Sequence, residues 1–91
     1  MSTVEADLVI CNQKGLHARA AAAFVKCITS FSSEVSVEKD GQDVDGCSIL
    51  SLMMLAACKG STIKVRANGD DAEAVIEAVS ALVNAKFGEE Q

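Results

Sequence analysis

His17 is the only histidine among 91 residues, and it stands in Gly15-Leu16-His17-Ala18-Arg19, directly ahead of an alanine-rich run. Imidazole is the side chain whose ordinary pKa lies nearest neutrality. Its nitrogen can also act as a nucleophile and carry a covalent intermediate. A glycine-containing turn, Asn12-Gln13-Lys14-Gly15, precedes it, and Ala20-Ala21-Ala22-Ala23-Phe24-Val25-Lys26 follows with strong helix-forming composition. His17 is thereby placed at a helix N-terminus, where free backbone N–H groups and the helix dipole favour an anion. An isolated histidine is ordinarily a cap or a surface residue. Beside an arginine at a helix start, it becomes a candidate for carrying a phosphoryl group.

The elements that position this corner follow from hydrophobic periodicity. Ala6 to Cys11 reads as a short strand. Ala18 to Phe31 reads as a helix, with Ala21, Phe24, Val25, Ile28 and Phe31 at helical spacing. Glu34-Val35-Ser36-Val37-Glu38 alternates as a half-buried strand, Asp40-Gly41 signals a hairpin, and Gln42 to Asp45 is the return strand. Ser48 opens a short helix, Ile49 to Leu55, which Lys59-Gly60 ends. Thr62 to Ala67 alternates again, and Asn68-Gly69-Asp70-Asp71 is a turn into a last helix. That helix reaches about Lys86, with Ala72, Val75, Ile76, Val79, Leu82 and Val83 in one stripe and acids at its start to suit the dipole. The order is strand, helix, strand, strand, helix, strand, helix. Strict alternation implies antiparallel pairing with one wet face, so the fold class is α+β in two layers.

Size and charge narrow the function. Residues 1–91 suit one domain. With 49% hydrophobic residues and Phe24, Phe31 and Phe87 as the only aromatic rings, the core must be aliphatic. Eight basic and 13 acidic residues give a net charge of −5, which argues against nucleic acid as a partner. The basic residues Lys14, Arg19 and Lys26 cluster around His17, a locally positive corner on an acidic chain. Cys11, Cys27, Cys47 and Cys58 show neither C-x-x-C spacing nor a second histidine, so no metal set is expected and no cofactor is implied. They read as reduced, buried small hydrophobes. The N-terminus lacks signal-peptide features, and the longest apolar stretch, Ile49 to Cys58, is too short for a bilayer. A soluble cytoplasmic monomer with no membrane partner is the expectation, its acidic C-terminal tail solvated and mobile.

The second helix carries more apolar residues than one buried face requires. Ile49, Leu50 and Met53 are expected to be partly exposed and to contact a partner protein. Methionine suits such a surface because its unbranched thioether adapts to different shapes. Ser48 reads as the N-cap of this helix. Close to the motif on its N-terminal side there is no carboxylate to activate a water, which is consistent with a carrier, although an acid distant in sequence could fold in.

With these residues in view, the chain resembles the histidine-containing phosphocarrier family of bacterial phosphotransferase systems, HPr and its nitrogen-branch relative NPr. The likeness rests on Gly15-Leu16-His17-Ala18-Arg19 with its Ala-Phe-Val helix, the Asp40-Gly41 hairpin, Ser48-Ile49-Leu50 with Leu52-Met53, and Lys86-Phe87 after the late helix. It implies an HPr-like open-faced β-sandwich, a four-stranded antiparallel sheet covered on one face by three helices in the order βαββαβα. It also implies that enzyme I, charged by phosphoenolpyruvate, phosphorylates His17 at Nδ1, and that an enzyme IIA-type acceptor takes the group onward. On this reading Arg19 is the charge partner of the phosphate, and the backbone N–H groups of Ala18 and Arg19 face it. Ser48 takes the place of a serine phosphorylated by an HPr kinase/phosphorylase, and Ala20, Ala22 and Lys26 join Ile49, Leu50 and Met53 in the partner surface. The protein is then a carrier intermediate and not an enzyme in the turnover sense. The alternative is a regulatory binding module switched by phosphorylation at His17 or Ser48. Two departures stand out: Ala20 replaces the family's usual proline, which leaves the first helical turn less preset, and Cys47 precedes Ser48 where many relatives carry lysine.

Overall fold

Residues 2–91 are described by a computed structural model. The chain runs β1 (Ser2–Val9), α1 (Ala18–Ile28), β2 (Glu34–Lys39), β3 (Gln42–Asp45), α2 (Ile49–Met54), β4 (Thr62–Gly69) and α3 (Ala72–Asn84), followed by a 3-10 turn at Lys86–Gly88. All strand pairs are antiparallel, in the order β1-β4-β2-β3. This is the expected two-layer α+β arrangement. Period-two alternation decides which face is covered. Val35 and Val37 of β2 and Ile63, Val65 and Ala67 of β4 turn inward and are buried. They meet Ala21, Phe24 and Ile28 of α1, Leu52 of α2, and Val75, Val79 and Val83 of α3 in one aliphatic core. Phe24 is its only fully buried aromatic ring.

On the open face, Arg66 of β4 sits opposite Glu5 of β1 and Ser36 of β2. Its guanidinium binds Glu5 at 2.5 Å and reaches Asp43 of β3 at 3.6 Å. Glu5 lies on an exposed strand face, which explains why β1 begins at Ser2, four residues before the expected start. The alternation of β1 was hidden by its charged outward residues. β4 likewise continues through Gly69, beyond the expected end at Ala67.

The helices are shorter than their apolar patterns. α1 stops at Ile28, where Thr29 donates both its backbone N–H to Val25 and its hydroxyl to Lys26. α2 ends at Met54 and α3 at Asn84. Ser48 caps α2 as expected, its hydroxyl accepting from the Ser51 N–H at 3.2 Å. Asp71 precedes α3 but makes no capping bond within it. Its carboxylate accepts instead from the backbone N–H groups of Ser32 and Ser33 and from both serine hydroxyls. Asp71 therefore staples the α1–β2 connection to the start of α3. None of the four cysteines is buried: Cys47 and Cys58 are exposed, and Cys11 and Cys27 are half-buried. The Cys11 thiol donates to the Val83 carbonyl, so a hydrogen bond rather than enclosure defines its place.

The connection between β1 and α1 is tied to the segment after α2. Ile10 N–H donates to Ser61, Gly60 N–H to Ile10, and Leu16 N–H to Ala57, each at 2.8 Å. Gly15 has φ +68°, and a Cβ there would lie 2.5 Å from the Ala57 carbonyl oxygen. Gly15→Ala is expected to cost about 1–3 kcal/mol for the left-handed backbone alone, with the clash adding to it. Denaturant unfolding checks this. The Ser33 hydroxyl and then the Ser32 amide hold the Asp71 carboxyl below its ordinary pKa. A depressed pKa gives stability that is present above the unfolded-state value and lost as pH falls through the folded one. The stability gap between the wild type and Asp71→Asn is therefore expected to close as pH drops through the carboxylate range, in thermal melts taken across pH.

Candidate functional site

His17 is the N-cap of α1, with extended backbone (φ −85°, ψ −176°). Gly15 turns the chain, Leu16 buries its side chain in the core, and His17 is left at the helix start with 28% of its side chain exposed. Its carbonyl accepts the Ala21 N–H at 2.8 Å, closing the first helical turn. Its ring does what a serine or aspartate does at other N-caps: Nδ1 accepts the backbone N–H of Arg19 at 3.3 Å. Nδ1 thus points at the free amides of the helix N-terminus, the place where an added anion is favoured. Ala18 and Arg19 are both exposed there. The ring lies in an open surface depression lined also by Lys14, Leu16, Ala56, Ala57 and Cys58.

The other ring nitrogen faces a residue that sequence reasoning missed. Nε2 lies 2.5 Å from Glu89 Oε2. Glu89 Oε1 in turn accepts from Asn12 Nδ2 at 2.9 Å, and the same amide group donates to the Gly15 carbonyl at 2.8 Å. Asn12 is fully buried, and its Oδ1 has no partner among the described residues. The Asn12 hydrogen bond first, then the His17 contact and the Lys14 charge, hold the Glu89 carboxyl below the ordinary range. Within the acidic tail Glu89 is accordingly half-buried and bonded, not solvated as expected, while Glu90 and Gln91 are exposed. Phe87 is buried, Lys86, Phe87 and Gly88 take left-handed backbone, and the Gln91 carbonyl accepts the Gln13 N–H at 2.9 Å. A buried aromatic just past a helix was the available signal that the tail folds back. Nothing in local spacing joined Glu89 to a histidine 72 positions away.

The residues expected to contact a partner divide. Ile49, Leu50 and Met53 are exposed, as is Met54, while Leu52 and Leu55 are buried. The surplus apolar side of α2 therefore faces solvent. Ala22 and Lys26 are exposed on α1. Ala20 is 0% exposed, so it cannot serve as a contact. It faces the core from the first turn of α1, beside Ala21. α1 and α2 pack against each other, and the bond from Leu16 N–H to Ala57 ties the His17 corner to the end of α2. The histidine and the apolar patch thus belong to one continuous region. Ser48 lies half-buried at the head of that patch.

A family model described as PTS HPr component phosphorylation site matches residues 4–85. The chain is 37% identical over 87 residues to phosphocarrier protein HPr of Xylella fastidiosa, covering 96% of this chain and 98% of that one. It is 38% identical over 89 residues to phosphocarrier protein NPr of Shewanella violacea, covering 98% of each. Among solved structures, HPr-C-His of Thermoanaerobacter tengcongensis superposes with a TM-score of 0.92 at 44% identity, covering 97% of this chain and 99% of that one. An N-capping histidine on an open sandwich, with matches of this extent to both HPr and NPr, identifies the chain as a member of the HPr family of phosphotransferase-system phosphocarriers.

Proposed function

We propose that His17 is the residue that carries the phosphoryl group, bonded through Nδ1. The observation that supports this most directly is the aim of Nδ1 at the Arg19 amide. A phosphoryl group on that nitrogen takes the place of the ring as acceptor for the N-terminal amides of α1, Ala18 and Arg19 among them. The Arg19 side chain supplies a charge-assisted fork for phosphate oxygens as charge shifts during transfer. The helix N-terminus is worth ~0.3–1 kcal/mol per anion at an exposed site, enough to orient the group and too little to trap it. The open setting of His17 suits a group that two large proteins must reach in turn.

The donor on this reading is phospho-enzyme I, and the acceptor is an enzyme IIA-type protein. Ile49, Leu50 and Met53 form the docking surface, with Ala22 beside them and Lys14 and Lys26 steering acidic partners. The chain acts as one HPr-like domain over residues 1–91, as a cytoplasmic monomer that leaves this surface free. Ser48 offers a regulatory point. Its hydroxyl already accepts from Ser51 at the head of α2, and a phosphate there sets a double negative charge beside Ile49 and Leu50.

Mixing the protein with phosphoenolpyruvate and enzyme I of the sugar or nitrogen branch is expected to add one acid-labile, alkali-stable phosphoryl group, read by intact mass. His17→Ala is expected to lose it entirely. Absence of label from both enzymes, with a folded protein, overturns the proposal. The docking surface makes its own prediction: Met53→Glu is expected to raise the KM for charging about tenfold, the scale of one interface anchor, with kcat kept. Steady-state charging assays read both constants.

A further inference from the structure

Local sequence supplies no carboxylate on the N-terminal side of His17, yet the fold brings one there from residue 89. Both oxygens of Glu89 are engaged, one with Nε2 of His17 and one with the Asn12 amide. Asn12 is fully buried although its own Oδ1 has no partner among the described residues. Its two donated bonds, to Gly15 and to Glu89, are what its polar group does there, and they lock the turn before His17 to the tail. Phe87 in the core and the bond from Gln13 N–H to the Gln91 carbonyl fix the tail on either side of Glu89. A carboxylate held at this many points is a fixed feature of the histidine's surroundings.

We infer that Glu89, held by Asn12, is a positioning residue for phosphoryl transfer, keeping the His17 ring proton on Nε2 so that Nδ1 presents its lone pair. The inference rests on the reading of His17 as the carrier. Two contacts specify the same proton arrangement: Nδ1 accepts from the Arg19 amide, and Nε2–H donates to Glu89. When Nδ1 attacks, its lone pair forms the N–P bond, the donor's bond to phosphorus breaks, and that electron pair leaves with the donor. The ring is then positively charged with its Nε2 proton still in place, and the Glu89 carboxylate compensates the charge. In the onward step a nucleophilic atom of the acceptor protein forms its bond to phosphorus, the N–P bond breaks, its electron pair returns to Nδ1, and the ring departs neutral, again with Nε2–H. The proton never has to move. Glu89 touches neither phosphorus nor the attacking nitrogen, and with both oxygens occupied it is not available to activate water at the phosphoryl group.

Glu89→Gln tests this, because an amide has one oxygen where the carboxylate has two. It cannot accept from Asn12 and from Nε2–H with separate oxygens, and it carries no charge. The ring-nitrogen NMR signals of neutral 15N-labelled His17 are expected to show Nε2–H hydrogen-bonded in the wild type and shifted in Glu89→Gln and Glu89→Ala. Charging by enzyme I and phosphoenolpyruvate is expected to lose about 10-fold in kcat with KM unchanged, the scale seen when the partner that orients a histidine is removed. Glu89→Asp is expected to recover part of the loss. A residue that merely anchors the tail does not move the ring-nitrogen signals. Wild-type ring signals, or a wild-type kcat, in both Glu89→Gln and Glu89→Ala overturn the inference while leaving the carrier reading intact. A wild-type chain that takes no phosphoryl group overturns the carrier reading itself, whatever the ring signals show.

Discussion

Everything at the functional corner depends on the close approach of the Gly15 backbone to Ala57. No side chain fits between the two segments, and the neighbouring Leu16 N–H uses that proximity to bond the Ala57 carbonyl. This contact fixes where the β1–α1 connection ends and therefore which residue becomes the N-cap of α1. Had the chain entered the helix one residue earlier or later, the imidazole would leave the free amides of the first turn. The same contact joins the turn to the segment after α2. The exposed Leu50 and Met53 of α2 and the His17 ring are therefore linked through one bonded segment.

Carriage of the kind proposed for His17 sets two opposing demands. A phosphoryl carrier must hold its group firmly enough to survive and loosely enough to pass it on. The His17 corner relies on modest, exposed interactions: a helix N-terminus, a nearby arginine, a ring in an open depression. The firm part of the corner lies behind the ring, where Asn12 is buried and Phe87 anchors the tail. The anchored groups thus lie on the Nε2 side of the imidazole, and the side facing the helix N-terminus stays open. That division suits a protein whose partners complete the surroundings of the reacting group.

Much of this was legible in the sequence because it is encoded locally. The stripe Ala72, Val75, Val79 and Val83 marked α3, Asp40-Gly41 marked the hairpin, and Ser48 marked a cap. The histidine motif and the surplus apolar residues of α2 were local signals too. What was not legible depends on where distant segments meet. Glu5 on β1 is explained by Arg66 on β4, Asp71 by Ser32 and Ser33, and Glu89 by Asn12 and His17. Charged residues in a strand or tail read as solvated until their partners are located in space. Ala20 shows the converse error: a residue close to the motif in sequence was assigned to the surface, and helical geometry turns it into the core.

The strand order carries a consequence for how the chain folds. β1 pairs with β4, Ser2 opposite Gly69 and Val9 opposite Thr62, so β1 waits for the last of the four strands. Closing so long a loop comes early in entropy cost and late in reward, which slows folding relative to a protein of local contacts. Meanwhile β1 exists as an unpaired strand, the kind of segment that recruits other chains. Glu5 and Asp7 interrupt its apolar residues at alternate positions, and such charges act as gatekeepers against strand-to-strand association. The acids that obscured β1 as a strand thus protect it from aggregation until β4 emerges.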